Sequence, residues 1–151
     1  MAGSVKVRDA SALMSEIYRN VRMAEDSIIN LMPRVTEEKL KNELTVQISV
    51  YSAFSSRAAK LLAEAGVKPE EESSMAKIGA KWGILMNTLK DPTQEHLAQM
   101  LIEGTTMGVG ELLRVIRDAE NNGISGDALV LARDVLAYEE KAVEEMKAYL
   151  R

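Results

Sequence analysis

Apolar residues recur three and four positions apart along most of the chain, which is the spacing of one face of an α-helix. The pattern predicts helices over about residues 9–32, 36–65, 74–89, 92–121 and 126–150. Three prolines, nine glycines and one phenylalanine in 151 residues argue against an all-β fold. The sequence therefore predicts an all-α protein that forms a single helical-bundle domain over residues 1–151.

Residues that favour helix ends lie between the predicted helices. Pro33 is expected to end the first helix and Gly66 to stop the second. Side chains able to accept a hydrogen bond from the first turn stand just before the four long helices. The predicted N-cap residues, in chain order, are Asp9 or Ser11, Thr36, Asp91 and Ser125.

The lengths of the connections indicate how the helices are arranged. The first two helices are joined by a tight turn, as are the last two, and short links make antiparallel neighbours. The helix over residues 74–89 is roughly half as long as the others and lies within the middle connection. We expect two antiparallel hairpins joined by a crossover that contains this short fifth helix. The alternative is a plain up-and-down array of five helices.

This helix order over about residues 9–150, with the run from His96 to Leu112 and the acidic last helix, resembles small, functionally uncharacterised bacterial proteins of the ferritin-like class. The resemblance implies a ferritin-like four-helix bundle. Di-iron members of that class place one Glu on each of two helices and Glu-x-x-His on each of the other two. Here Glu139 matches one Glu, but Ala142 stands at the His position.

The other ligand positions of the di-iron pattern hold no suitable side chain. They are occupied by apolar or uncharged residues: Leu44 and Gln47 in the second helix, Ile17 and Val21 in the first, Leu101 and Thr105 in the fourth. One carboxylate without imidazole cannot hold two iron ions. We therefore expect no metal, no cofactor and no catalytic residue of the di-iron kind.

Four polar residues lie near the middle of their predicted helices on the core faces: Glu139, Gln47, Tyr51 and Thr105. One interpretation is a buried polar layer that fixes helix register, since a buried carboxylate must find donors or be protonated. The other is a remnant ligand site or small-molecule pocket. We favour the polar layer, and we expect Glu139 to be buried and to accept a hydrogen bond from Gln47 or Tyr51.

Gly104 and Gly108 interrupt a good helical pattern, and each destabilises a helix interior by about 1 kcal/mol relative to Ala. The close approach of another helix, or of Trp82 from the crossover, is the expected reason. A gap for a ligand is the alternative. His96, the only histidine, falls on the polar side of its helix and is expected to be a surface residue.

Composition excludes several classes of function. The chain has no cysteine, which removes disulfides and thiolate chemistry and fits a reducing cytoplasm. The first residues lack the apolar run of a signal peptide, and no stretch is long and apolar enough for a membrane span. The net charge of −4, without clustered basic residues, does not favour nucleic-acid binding. We expect a cytoplasmic protein with neither a membrane nor a nucleic acid as partner.

Two classes of function remain. A second apolar strip on the second helix, Val46, Val50 and Ala53, indicates a surface that is covered either by the short helix with Trp82 or by a second subunit, and of these we expect a homodimer. The first class is a non-catalytic ferritin-like bundle that acts through self-association or a protein partner. The second is a divergent metal-binding or redox protein with carboxylate ligands. Those ligands would come from Glu16, Glu25, Glu103, Glu111 or Glu139.

Overall fold

The computed structural model describes residues 7–68 and 93–150, and nearly all of these are helical. The four helices are α1 (Ala10–Leu31), α2 (Glu38–Ala65), α3 (Gln94–Asn121) and α4 (Asp127–Met146). Single 3₁₀ turns, Met32–Arg34 and Lys147–Tyr149, follow α1 and α4. The expected all-α class is confirmed for this part of the chain. The predicted short helix over residues 74–89, with Trp82, lies outside the described residues.

The helices form two hairpins that pack on each other. α1 packs mainly against α2, and α3 mainly against α4, while α1 also contacts α3 and α2 also contacts α4. The backbone N–H of Val7 donates to the carboxylate of Asp118, so α1 begins where α3 ends. The Tyr149 hydroxyl donates to the Lys39 carbonyl at 3.3 Å, so the end of α4 lies beside the start of α2. The α1–α3 and α2–α4 pairs are therefore antiparallel, whereas α1 and α4, which also contact each other, run in the same direction.

The residues that lead into α2 are hydrogen-bonded to a residue of α3. The side-chain oxygen of Gln94 accepts hydrogen bonds from the backbone N–H groups of Thr36 and Glu37, at 3.1 and 2.9 Å. The predicted N-cap at Thr36 is wrong, because Glu37 occupies the cap position and its side chain makes no capping bond. Since Gln94 is the first residue of α3, α2 and α3 begin at the same end of the bundle. The last turn of α2 and the first turn of α3 thus lie at opposite ends.

Local capping explains two of the other helix starts. Asp9 caps α1 as predicted, accepting from a first-turn N–H at 2.8 Å. Thr93 caps α3 in the same way, whereas the predicted Asp91 lies outside the described residues. The predicted cap of α4 at Ser125 is wrong, because Gly126 takes the cap position with φ of 98°. A glycine adopts that backbone angle without steric penalty.

The core follows the predicted helical faces closely. Six residues of α4 that recur three and four positions apart in the sequence are all buried: Ala128, Ala132, Val135, Glu139, Ala142 and Met146. In α2 the buried face turns slightly near the end, where Ser55 and Leu62 are buried and Ala65 is exposed. Full burial of each large aliphatic side chain contributes about 1.5–3 kcal/mol. None of the described helices combines the length and the apolar character that crossing a membrane requires.

Candidate functional site

Glu139 places a carboxyl group in the centre of the bundle. Its exposed fraction is 1%, and its Oε1 atom has no hydrogen-bond partner among the described residues. Burial raises the pKa of Glu139 well above its usual value, and the facing Tyr51 hydroxyl lowers the pKa only in part. The interior therefore favours the protonated, uncharged carboxyl group.

Tyr51 of α2 faces Glu139 without bonding to it. Its ring lies edge-on against Tyr138, with centroids 5.5 Å apart and an interplanar angle of 87°. Burial raises the pKa of the Tyr51 hydroxyl well above its usual value, and the neighbouring Glu139 raises it further. The hydroxyl is thus close enough for electrostatic influence, yet it has no hydrogen-bond partner within the described part of the chain.

By distance and angle, neither Gln47 nor Tyr51 completes the expected hydrogen bond to Glu139, although the Tyr51 hydroxyl is close enough to lower the pKa of that carboxyl group. Gln47 is buried, with an exposed fraction of 3%, but its Nε2 atom lacks a partner among residues 7–68 and 93–150. The Tyr51 ring is fixed by its contact with Tyr138, and a phenol oxygen lies on the ring axis, so its position follows the ring. Burial of Glu139 was predictable from the helical pattern, whereas the bonding geometry was not.

Gly108 of α3 makes room for the Glu139 carboxyl group. A Cβ atom at position 108 would lie 3.2 Å from Oε1 of Glu139 and 3.5 Å from Nδ2 of Asn20. The interruption of the helical pattern at Gly108 therefore reflects two side chains, from α4 and α1, that reach the α3 backbone. By contrast, a Cβ at the neighbouring Gly110 would meet nothing within 4 Å.

Asn20 of α1 belongs to this site and was absent from the sequence prediction. Its exposed fraction is 2%, and its Nδ2 donates to the Gly108 carbonyl at 3.2 Å. Its Oδ1 atom has no partner in the described structure. The signal that could have found it is spacing, because Asn20 follows Ile17 by three residues and so shares its face.

A small cavity connects these groups. Asn20, Tyr51, Thr105, Gly108 and Glu139 line it together with Ser27, Gly104 and apolar residues of α1 and α3. The space open to the centre of a water-sized sphere is about 20 Å³. By that measure a single water needs roughly 10–15 Å³, so the cavity has room for a water-sized molecule and is too small for a metabolite. Three of the four predicted site residues meet at this cavity, and Gln47 is not among those that line it.

The other carboxylates considered as ligands are mostly buried but separate. Those buried with Glu139 are Glu16, Glu25 and Glu111, whereas Glu103 is exposed. Glu16 pairs with Arg19 at 2.8 Å, Glu111 pairs with Arg114, and Glu25 accepts from Ser55 at 3.5 Å. Among the described residues, His96 included, no three metal-ligating side chains come together.

The outward surface of α2 forms a second candidate site. Six of its exposed residues are small and uncharged, and we call them the α2 outer face: Thr45, Val46, Ser49, Ser52, Ala53 and Ser56. Val46 is 56% exposed, while Val50, beside this face, is half-buried. The Thr45 hydroxyl donates to the Lys41 carbonyl of its own helix at 2.8 Å. The hydroxyl proton of Thr45 is therefore bonded within α2 and points away from the exposed surface.

The corresponding surface of α4 is strongly charged. Its exposed residues include Arg133, Asp134, Glu140, Lys141, Glu144 and Glu145. The absence of charge is therefore specific to the exposed surface of α2 and is not shared by α4. No protein-family model matches the chain, and a search of curated proteins found no match.

Proposed function

We propose that this protein is a non-catalytic, ferritin-like four-helix bundle that acts through self-association, as a homodimer formed by the α2 outer face. The observation that carries the proposal is the absence of charge on that face, where every exposed residue from Thr45 to Ser56 is uncharged. The solvent-facing side of a helix in a globular protein typically carries charged residues beside uncharged polar ones. Depletion of charge is instead typical of the centre of a protein interface.

The α2 outer face suits a second copy of this chain better than a charged partner. Closed two-fold dimers place the same patch of both subunits in contact. A charged patch would then oppose its own sign across the axis, which is unfavourable. The small side chains at Ser49, Ser52 and Ala53 also permit the partner helix to approach closely. Val46 supplies the largest exposed apolar side chain of the face.

The ferritin-like part of the proposal draws its support from helix direction. α2 and α3 begin at the same end of the bundle, as the Gln94 bonds show, and each forms an antiparallel hairpin. Two hairpins joined by one long crossover are typical of ferritin-like bundles.

Light scattering coupled to gel filtration tests the proposed association. We expect a molar mass of twice the 16.6 kDa of one chain at high micromolar concentration, falling toward one chain on dilution. A mass of one chain throughout the concentration range would refute the proposal.

The alternative function is a divergent metal-binding or redox protein that uses carboxylate ligands. The observation in its favour is the burial of Glu139 without an ion-pair partner among the described residues, since carboxylates are almost never fully buried unless they are paired. Elemental analysis of the purified protein separates the two functions. A stoichiometric metal that is lost in Glu139→Gln would support the alternative and would contradict a purely associative role.

A further inference from the structure

Three buried polar atoms from three different helices have no hydrogen-bond partner among residues 7–68 and 93–150 at the central cavity. They are Oδ1 of Asn20 on α1, the hydroxyl of Tyr51 on α2 and Oε1 of Glu139 on α4. The three residues are each at least 98% buried and all line the same cavity. Buried polar atoms are normally satisfied by protein groups or by an ordered water.

The hydrogen-bonding capacities of these three atoms are complementary to one water molecule. The Tyr51 hydroxyl carries a proton to donate. The amide of Asn20 is oriented by its donation to the Gly108 carbonyl, so its remaining cavity-lining atom, Oδ1, is an acceptor. Oε1 of Glu139 can accept as well. A water molecule has two protons to give and can accept from a third group, and buried waters typically make about three such bonds.

We infer that the cavity is a binding site for a single ordered water. This water accepts a hydrogen bond from the Tyr51 hydroxyl and donates to Oδ1 of Asn20 and to Oε1 of Glu139. The size of the cavity, about 20 Å³, matches one water and not two. The water links α1, α2 and α4 beside Gly108, where the absence of a side chain leaves space next to α3. This site is independent of the proposed dimer, because it lies inside one subunit.

A cation of similar size is the competing occupant. Among the described residues, the ionisable groups that line the cavity are the Glu139 carboxyl and the Tyr51 phenol, and the other lining residues are neutral. Burial raises the pKa of both groups, which favours their uncharged forms. A neutral cavity binds water more readily than it binds a cation, because an ion would lose its hydration without gaining a countercharge.

A crystal structure of the full chain that resolves ordered waters tests this site, with a second crystal soaked in rubidium chloride. We expect one density peak within hydrogen-bond distance of all three atoms and no anomalous rubidium signal there. A rubidium peak would identify a cation site and overturn the inference. An empty cavity, or a direct bond between Tyr51 and Glu139, would overturn it equally.

A solution measurement uses two matched variants. Gly108→Ala places a methyl group against Oε1 of Glu139 and Nδ2 of Asn20, whereas Gly110→Ala places one where nothing lies within 4 Å. Oxygen-17 relaxation dispersion counts long-lived buried waters. We expect one fewer such water in Gly108→Ala than in Gly110→Ala. Equal counts in both variants, with both folded by circular dichroism, would contradict the assigned site.

Discussion

Glu139 and Gly108 share one space in the core: a Cβ atom on residue 108 would lie 3.2 Å from Oε1 of Glu139. Two irregularities of the sequence, a glycine inside a helix and a carboxylate inside an apolar stripe, therefore have one physical cause. The glycine weakens α3 by about 1 kcal/mol relative to Ala. That loss is offset because the carboxyl group of α4 can lie against the α3 backbone.

Alanine substitutions at the two neighbouring glycines separate helix propensity from this contact. Gly110→Ala should stabilise the protein by up to about 1 kcal/mol, since its new methyl group meets nothing within 4 Å. Gly108→Ala gains the same propensity but forces Glu139 aside, and such overpacking costs about 1–3 kcal/mol. We expect Gly108→Ala to be at least about 1 kcal/mol less stable than Gly110→Ala in urea unfolding. Equal free energies of unfolding would show that the contact is unimportant.

Two substitutions at Glu139 test whether its role is structural. Glu139→Gln keeps the shape and the hydrogen-bonding capacity while removing the ionisable group, so it should be neutral or mildly stabilising at neutral pH. Glu139→Ala removes a fully buried side chain and leaves a cavity, which should lower the free energy of unfolding by about 2–4 kcal/mol. Chemical denaturation of both variants provides the measurement. A Gln variant as unstable as the Ala variant would rule out the structural role.

The pH dependence of stability reports the raised pKa of Glu139. In the folded protein this pKa lies well above 4.5, so the protonated form is favoured by folding. Its contribution to stability is complete below the unfolded-state pKa. The contribution falls by about 1.4 kcal/mol per pH unit as the pH rises toward the folded-state pKa.

The comparison that isolates this contribution is wild type against Glu139→Gln at several pH values between 4.5 and 7. We expect the stability difference to shift in favour of the Gln variant as the pH rises, because the amide does not ionise. Other titrating groups contribute equally to both proteins and cancel in the difference. A difference that does not change with pH would mean that Glu139 titrates normally.

Periodicity within a helix was the dependable part of the sequence. It predicted the central buried face of α4, including Glu139, because burial of one face follows directly from spacing, whereas Leu129 and Leu131 beside that face are buried as well. Contacts between helices were not predictable. Gln94 replaces the expected cap at Thr36 from another helix, 58 residues along the chain, and no local signal announces it.

In the candidate site too, features within one helix were predictable and contacts between helices were not. Gly108 and Glu139 were each recognised as irregular, but their contact depends on the packing of α3 against α4. Asn20 does not belong to the apolar pattern because it is polar. Its three-residue spacing from Ile17 nevertheless places it on the buried face of α1. Whether the Tyr51 hydroxyl can bond to Glu139 depends on the direction of the Tyr51 ring, which packs edge-on against Tyr138 of α4.

The proposed association through the α2 outer face is tested most directly by comparing two exposed valines. Val46 lies within that face and is 56% exposed, while Val130 lies on α4 and is 52% exposed. Glutamate at either position introduces the same charge on a helix surface. Sedimentation velocity at one fixed high micromolar concentration, with circular dichroism to check folding, provides the measurement. We predict that Val46→Glu sediments as a monomer while wild type and Val130→Glu sediment as dimers. A dimeric Val46→Glu, or a monomeric wild type, would contradict the proposed function.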